Sequence, residues 1–124
     1  MEGRTHFPGI KYVSIAQATN KHPRNDSASI AQLDDGSLFM VWIEMHASEK
    51  GGNDEAPASI TSMRSHDGGR TWKDYRVEVS PGEGDLSVYN PSLIVLPDGE
   101  LLFFYLKYHE LVWNDPLVSS GYIC

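Results

Sequence analysis

The chain has 124 residues, of which 40% are hydrophobic, and a net charge of −7. This length suffices for one small domain, whereas the negative charge and the scattered lysines and arginines argue against nucleic acid and anionic membranes as partners. The single cysteine, Cys124, excludes an internal disulfide bond, and no apolar run approaches transmembrane length. The first residues lead into no apolar signal-peptide core, so a cytoplasmic location is the default expectation.

Metal and nucleotide sites are not indicated by the sequence. The five histidines show no metal-ligand spacing with one another or with the cysteine. Neither Gly51-Gly52 nor Gly68-Gly69 belongs to a phosphate-binding loop motif. We therefore predict that the chain holds no metal and uses no cofactor.

The first predicted elements are a strand, a loop and a hairpin. Residues 11–17 alternate apolar and polar side chains, with β-branched members, and are predicted to form a half-buried strand. The polar segment 19–26 contains Pro23 and is predicted to be a loop. Residues 28–33 and 37–44 are then predicted to form a hairpin, because the turn signal Asp34-Asp35-Gly36 separates two strand-like runs.

The hairpin recurs over residues 91–107. Ser29 corresponds to Ser92 and Gly36 to Gly99, a constant offset of 63 residues with no gap. Between the copies lie a polar loop, a strand at about 58–64, a turn and a strand at 73–79, so one period holds four antiparallel strands, as in a β-propeller blade. Residues 38–43 and 101–106 are apolar at every position, which predicts strands covered on both faces.

The turn over residues 65–72 has the residue types of a tightly hydrogen-bonded reversal. Gly68 and Gly69 tolerate positive φ, and a short carboxylate at Asp67 can accept hydrogen bonds from the turn's own backbone. Asp67 could be a catalytic carboxylate or a structural one. The turn's need for this side chain favours the structural interpretation.

This octet fits the pattern Ser-x-Asp-x-Gly-x-Thr-Trp at every specified position, namely Ser65, Asp67, Gly69, Thr71 and Trp72. It resembles the Asp-box, or BNR repeat, of the sialidase (neuraminidase) superfamily. The resemblance covers roughly residues 24–107 and implies an all-β, sialidase-like propeller of the six-bladed type, with Asp-boxes on the rim away from the active site. The chain is then expected to be a fragment of about one and a half blades: an N-terminal strand and loop (1–24), a first blade (25–80) and a truncated second blade (81–124).

The resemblance also implies where a sugar would bind. In a propeller, the loops that enter the innermost strands and those that join second to third strands surround the binding face. These loops and strand ends supply the candidate substrate-binding residues Arg24, Asn25, Asp26, Glu44 and Asn90. In the family, an arginine two residues before the equivalent proline binds the sialic-acid carboxylate, whereas here that position is Asp26 and Arg24 stands two residues earlier.

Asp54 is the candidate general acid/base, because the family has an aspartate in the loop between the second and third strands of its first blade. The alternative is a solvated loop acid. Glu44 could hold Arg24 or a sugar hydroxyl, or reach water from its strand end. The family's tyrosine nucleophile belongs to later blades, so this chain alone is expected to be inactive.

The resemblance therefore implies part of an exo-α-sialidase or related glycosidase that acts on the terminal sugar of a glycan. The expected partner is a glycan or small sugar, with no nucleic acid and no membrane. The alternative function is a non-catalytic propeller that binds carbohydrate or protein.

Overall fold

The protein is all-β in a computed structural model, which describes residues 8–49 and 51–109 and, for the backbone, 119–123. Seven strands form two antiparallel sheets, and these residues contain no helix. The first sheet has the order β1 (Arg24–Gln32), β2 (Leu38–Met45), β3 (Ala58–Ser65) and β4 (Lys73–Val79). The second has the order β5 (Ser87–Val95), β6 (Leu101–Tyr108) and β7 (Ser119–Ile123). The predicted all-β class and both hairpins are confirmed.

No helix in the described part of the chain is long and apolar enough to cross a lipid bilayer. The strand predicted over residues 11–17 is wrong, because this segment joins neither sheet. Val13 to Ala16 instead line a cavity of 490 Å³ together with Met40 and Trp42 of β2. The segment thus lies against the first sheet without pairing with any of its strands. Alternation of apolar and polar residues indicates that one side of a segment is covered. A strand also needs backbone hydrogen bonds to a neighbouring strand.

The 63-residue repeat extends to the irregularities of the backbone. The register of β1 shifts between Asp26 and Ser29, and that of β5 shifts between Tyr89 and Ser92. Each bulge contains a residue with positive φ, Ser27 at 47° and Asn90 at 53°. A bulge bends its strand and locally re-aims side chains. Both inner strands are therefore bent in the same way at the same repeat position.

The turns of the two hairpins also have the same backbone conformation and hydrogen bond. Gly36 has a φ of 81° and Gly99 a φ of 87°, a region in which a side chain would be strained. The N–H of Gly36 donates to the Leu33 carbonyl at 2.8 Å, and that of Gly99 donates to the Leu96 carbonyl at 2.9 Å. The turn chemistry read from the sequence therefore produces the same structure twice.

The two sheets pack face to face, and the core lies between them. Val41 and Ile60 of the first sheet are fully buried against Val88, Leu93 and Phe103 of the second. The N–H of Leu93 also donates to the Ser29 hydroxyl across the interface, at 3.1 Å. Every residue of β2 from Met40 to Met45 is buried, whereas every residue of β6 is only half-buried. Coverage on both faces is thus confirmed for β2, whereas the described residues cover β6 only in part.

The turn between β3 and β4 is closed by Asp67. One carboxylate oxygen accepts hydrogen bonds from the Ser65 hydroxyl and the Thr71 N–H, both at 2.9 Å, and the other accepts from the Thr71 hydroxyl at 2.6 Å. The bonds from Thr71 hold the pKa of Asp67 at about 2. Trp72 donates to the Gly69 carbonyl at 3.0 Å. The Asp67 carboxylate is therefore occupied within its own turn, at the end of the sheet opposite the β2–β3 loop.

Candidate functional site

A cavity of 270 Å³ lies between the two sheets, at the end where β1 and β5 begin and where β2 and β6 end. Its floor is formed by Ile43 and Met45, which are buried on the face of β2 that meets the second sheet. The rim is mostly polar and carries two aromatic rings. It consists of Arg24, Asp26, Ser27, Asp54, Tyr89, Asn90 and Tyr108.

Arg24 lies between two carboxylates at the rim. Its Nη1 donates to Asp54 Oδ1 at 2.7 Å, and its Nη2 donates to Asp26 Oδ2. The bonds to Asp54 and then Asp26 raise the pKa of Arg24, and the bond from Arg24 lowers the pKa of Asp26. The side chains of Arg24 and Asp54 are 40% and 67% exposed, so each ion pair stabilises the fold only modestly. The cluster carries a net charge of −1.

The loop that carries Asp54 is held by the second sheet. The Tyr89 hydroxyl donates to the carbonyls of Asp54 and Ala56, the latter at 3.3 Å. The buried Ser87 hydroxyl donates to the Ala56 carbonyl at 3.2 Å. These bonds, together with the Arg24 pair, hold the loop from β1 on one side and from β5 on the other.

Gly52 brings the same loop close to the start of β1. It has a φ of 77°, and a Cβ at this position would lie 2.8 Å from the Pro23 side chain. Only glycine combines this backbone conformation with such a close approach. The path of the loop between β2 and β3 is therefore determined by packing as well as by hydrogen bonds.

Two of the residues predicted to bind substrate point elsewhere. Asn25 accepts a hydrogen bond from the Trp42 indole at 3.1 Å and lines the other cavity, next to residues 13–16. Glu44 is only 7% exposed and accepts a hydrogen bond from the Tyr75 hydroxyl. Partial desolvation and this bond to Glu44 raise the pKa of Tyr75 to about 12. Glu44 also lies 3.7 Å from His22 Nδ1. Glu44 thus neither holds Arg24 nor reaches bulk water.

Four predicted residues do come together, namely Arg24, Asp26, Asp54 and Asn90. The candidate list omitted Ser87, Tyr89 and Tyr108, which complete the site. The 63-residue offset carried a signal for the first two, because Ser87 corresponds to Arg24 and Tyr89 to Asp26. The loop that carries Asp54 is therefore contacted by equivalent positions at the start of β1 and at the start of β5.

The same offset relates a second pair of polar clusters. In the first sheet His22 lies beside Glu44, and its ring makes an edge contact with His46 at 5.6 Å between centroids. In the second sheet the corresponding residues are Asp85, Lys107 and His109, and Asp85 pairs with Lys107 at 3.1 Å and with His109 at 2.7 Å. A backbone N–H from Gly82 and then Lys107 lower the pKa of Asp85. The acidic residue is Glu44, near the end of β2, in the first cluster and Asp85, in the loop before β5, in the second.

A scan against models of known protein families matched none of them, and a search of curated proteins found no match. Among the side chains that the structure describes, no group of three or more His, Cys, Asp or Glu residues could hold a metal ion. The function must therefore be inferred from the cavity and its chemistry.

Proposed function

We propose that this chain is part of a sialidase-like β-propeller whose cavity between neighbouring blades binds the terminal sugar of a glycan, and that the complete protein is a glycosidase. The observation that carries the proposal is the convergence of Arg24, Asp54 and Asn90 on one cavity between two repeated, stacked sheets. In a propeller, loops at this end of the blades form the ligand-binding face.

The packing between the sheets supports the propeller assignment, because the face that the first sheet uses is not the repeat equivalent of the face that the second sheet uses. One face of β2, with Phe39 and Val41, meets the face of the second sheet that carries Leu93 and Phe103. On β6 the positions equivalent to Phe39 and Val41 are Leu102 and Phe104, which are half-buried. Such a head-to-tail contact can be repeated by a further sheet and can close into a ring.

The cavity has the chemistry of a sugar site. Tyr89 and Tyr108 make an edge-to-face contact with their ring centroids 5.0 Å apart, which presents apolar ring surface beside polar groups. Asn90, Ser27 and the carboxylates supply hydrogen-bond donors and acceptors. A volume of 270 Å³ lies just below the range of ligand pockets, which starts at about 300 Å³, and suits a single sugar ring.

In this proposal Asp54 is the general acid that protonates the leaving-group oxygen. Its loop is held by Arg24 and Tyr89, which supports a fixed position for its carboxyl group. The nucleophile would come from a part of the propeller beyond these two sheets. The second candidate function, a binding module without catalysis, is favoured by the 67% exposure of Asp54 and by its existing pair with Arg24.

The test uses a longer protein that contains this chain and the substitution Asp54→Asn. If Asp54 is the general acid, glycosides with poor leaving groups should be cleaved about 10²–10⁴-fold more slowly, and activated aryl glycosides should be largely spared, since they need little protonation. Asp34→Asn is the matched control, because it removes an exposed acid at the opposite end of the sheet. Unchanged rates on both substrate types would reject hydrolysis through Asp54 and favour the binding module.

A further inference from the structure

We infer that the cavity takes an uncharged sugar, recognised through its hydroxyl groups, and not a sugar that carries a carboxylate. This inference rests on the proposed function, because it presumes that the cavity binds a terminal sugar. Its basis is the state of Arg24, which is the only cationic side chain among the described residues that line the cavity.

Each terminal nitrogen of Arg24 already donates to a carboxylate. Asp54 accepts from Nη1 and Asp26 accepts from Nη2. Arginine recognises a carboxylate through two parallel N–H donors. A ligand carboxylate would have to share this guanidinium with Asp54 and Asp26, and both would remain beside it as negative charges.

Asp26 is not free to swing away from Arg24. Its second carboxylate oxygen, Oδ1, accepts the Ser27 N–H at 2.7 Å, within the bulge of β1. The carboxylate is thereby held from two sides.

The balance of charge in the cavity points the same way. One guanidinium faces two carboxylates, which leaves a net charge of −1 before any ligand binds. Arg24 and Asp26 are each 40% exposed, so water screens this charge in part but does not reverse its sign. An anionic ligand is therefore disfavoured, whereas sugar hydroxyls can donate to the free lone pairs of Asp54 and Asp26.

An uncharged ring also matches the rest of the lining. The Asn90 side chain offers both a donor and an acceptor, and the rings of Tyr89 and Tyr108 offer apolar surface. Arg24 then acts as a positioning residue, which holds the two carboxylates in place for the sugar. It does not serve as an anion site.

The experiment titrates the isotopically labelled chain with methyl β-galactoside, methyl N-acetyl-β-glucosaminide and the methyl glycoside of N-acetylneuraminic acid. The amide signals of Ser27 and Asn90 report binding at the cavity. We expect both neutral glycosides to shift these signals and the carboxylate sugar to bind at least fivefold more weakly. In Asp26→Asn, the affinity for the carboxylate sugar should rise by about two- to fivefold, the range expected for one exposed charge pair.

Asp98→Asn serves as the control, because it changes the net charge equally at the exposed β5–β6 turn, far along the strands from the cavity. It should leave all three affinities unchanged. A wild-type chain that binds the carboxylate sugar as tightly as the neutral ones would overturn the inference and leave the proposed function standing. Absence of any cavity shift with all three glycosides would overturn both.

Discussion

The second strands of the two sheets have the same backbone and different surroundings. β2 and β6 pair with their inner strands in the same register, and both inner strands bulge at the same repeat position. Yet Met40 to Met45 are all buried, whereas β6 is half-buried throughout. The second sheet and residues 13–16 lie against opposite faces of the first sheet. Hairpin geometry is therefore a local property, and burial depends on what a sheet packs against.

The polar ends of the two sheets differ as well. β1 begins with Arg24, which binds the Asp54 side chain and also pairs with Asp26, and β5 begins with Ser87 and Tyr89, which bind the backbone of the same loop. Equivalent positions thus contact one loop from two sides with different chemistry. The candidate cavity arises between the copies and not within either of them.

The largest expected effect is a difference in stability between charge substitutions on β2 and on β6. Val41→Asp places an unpaired charge at a site with 0% exposure and should lower the free energy of unfolding by about 3–5 kcal/mol. Phe104→Asp, at the repeat-equivalent position, should lower it by only about 1–2 kcal/mol, because that side chain is half-buried. Urea denaturation followed by tryptophan fluorescence measures both. Equal losses would mean that the face of β6 that carries Phe104 is as well covered as β2.

A smaller effect tests whether the turns are equivalent. Gly36→Ala and Gly99→Ala should each lower the free energy of unfolding by about 1–2 kcal/mol, since both impose a side chain on a left-handed backbone. Gly99→Ala also brings a Cβ against the Asp34 carboxylate, whereas Gly36→Ala meets open space. Asp34 is an exposed side chain that can move, so the two losses should agree within about 0.5 kcal/mol. Thermal denaturation of the two variants makes the comparison, and a clearly larger loss in one of them would contradict equivalent turns.

The smallest effect is a pH dependence at the turn between β3 and β4. The Asp67 pKa of about 2 lies below the value of about 3.9 for an unfolded aspartate, so the carboxylate contributes stability above roughly pH 4. This contribution should be lost as the pH falls from about 4 through about 2. The protection of the Thr71 amide against hydrogen exchange, relative to its intrinsic exchange rate at each pH, should fall over this range, whereas that of the Gly99 amide should not. Asp67→Asn should abolish the difference, and a parallel response at both turns would contradict the local origin.

Much of the fold could be predicted because its signals are local. Glycine in the turns at Gly36 and Gly99, the apolar second strands and the ungapped offset all act within one hairpin, so the strand bounds follow from neighbouring residues. Residues 11–17 show the limit of such signals. Their alternation predicted a strand, but whether a segment pairs depends on a free edge elsewhere in the chain.

The cavity was predicted only in part, for the same reason. The sequence by itself determined which polar residues stand at the strand ends, and the resemblance pointed to Arg24, Asp26, Asp54 and Asn90. Only the tertiary structure decided that Glu44 and Asn25 face other partners, that Ser87 and Tyr89 hold the loop of Asp54, and that Arg24 is shared by two carboxylates. These contacts join residues 17 to 35 positions apart, with the Arg24–Asp26 pair as the one local exception. The contacts of Asn25, Glu44 and Arg24 form when the first sheet and its loops assemble, whereas those of Ser87 and Tyr89 form only once the two sheets have stacked. Packing within the first sheet and packing between the sheets therefore both set the chemistry of the site.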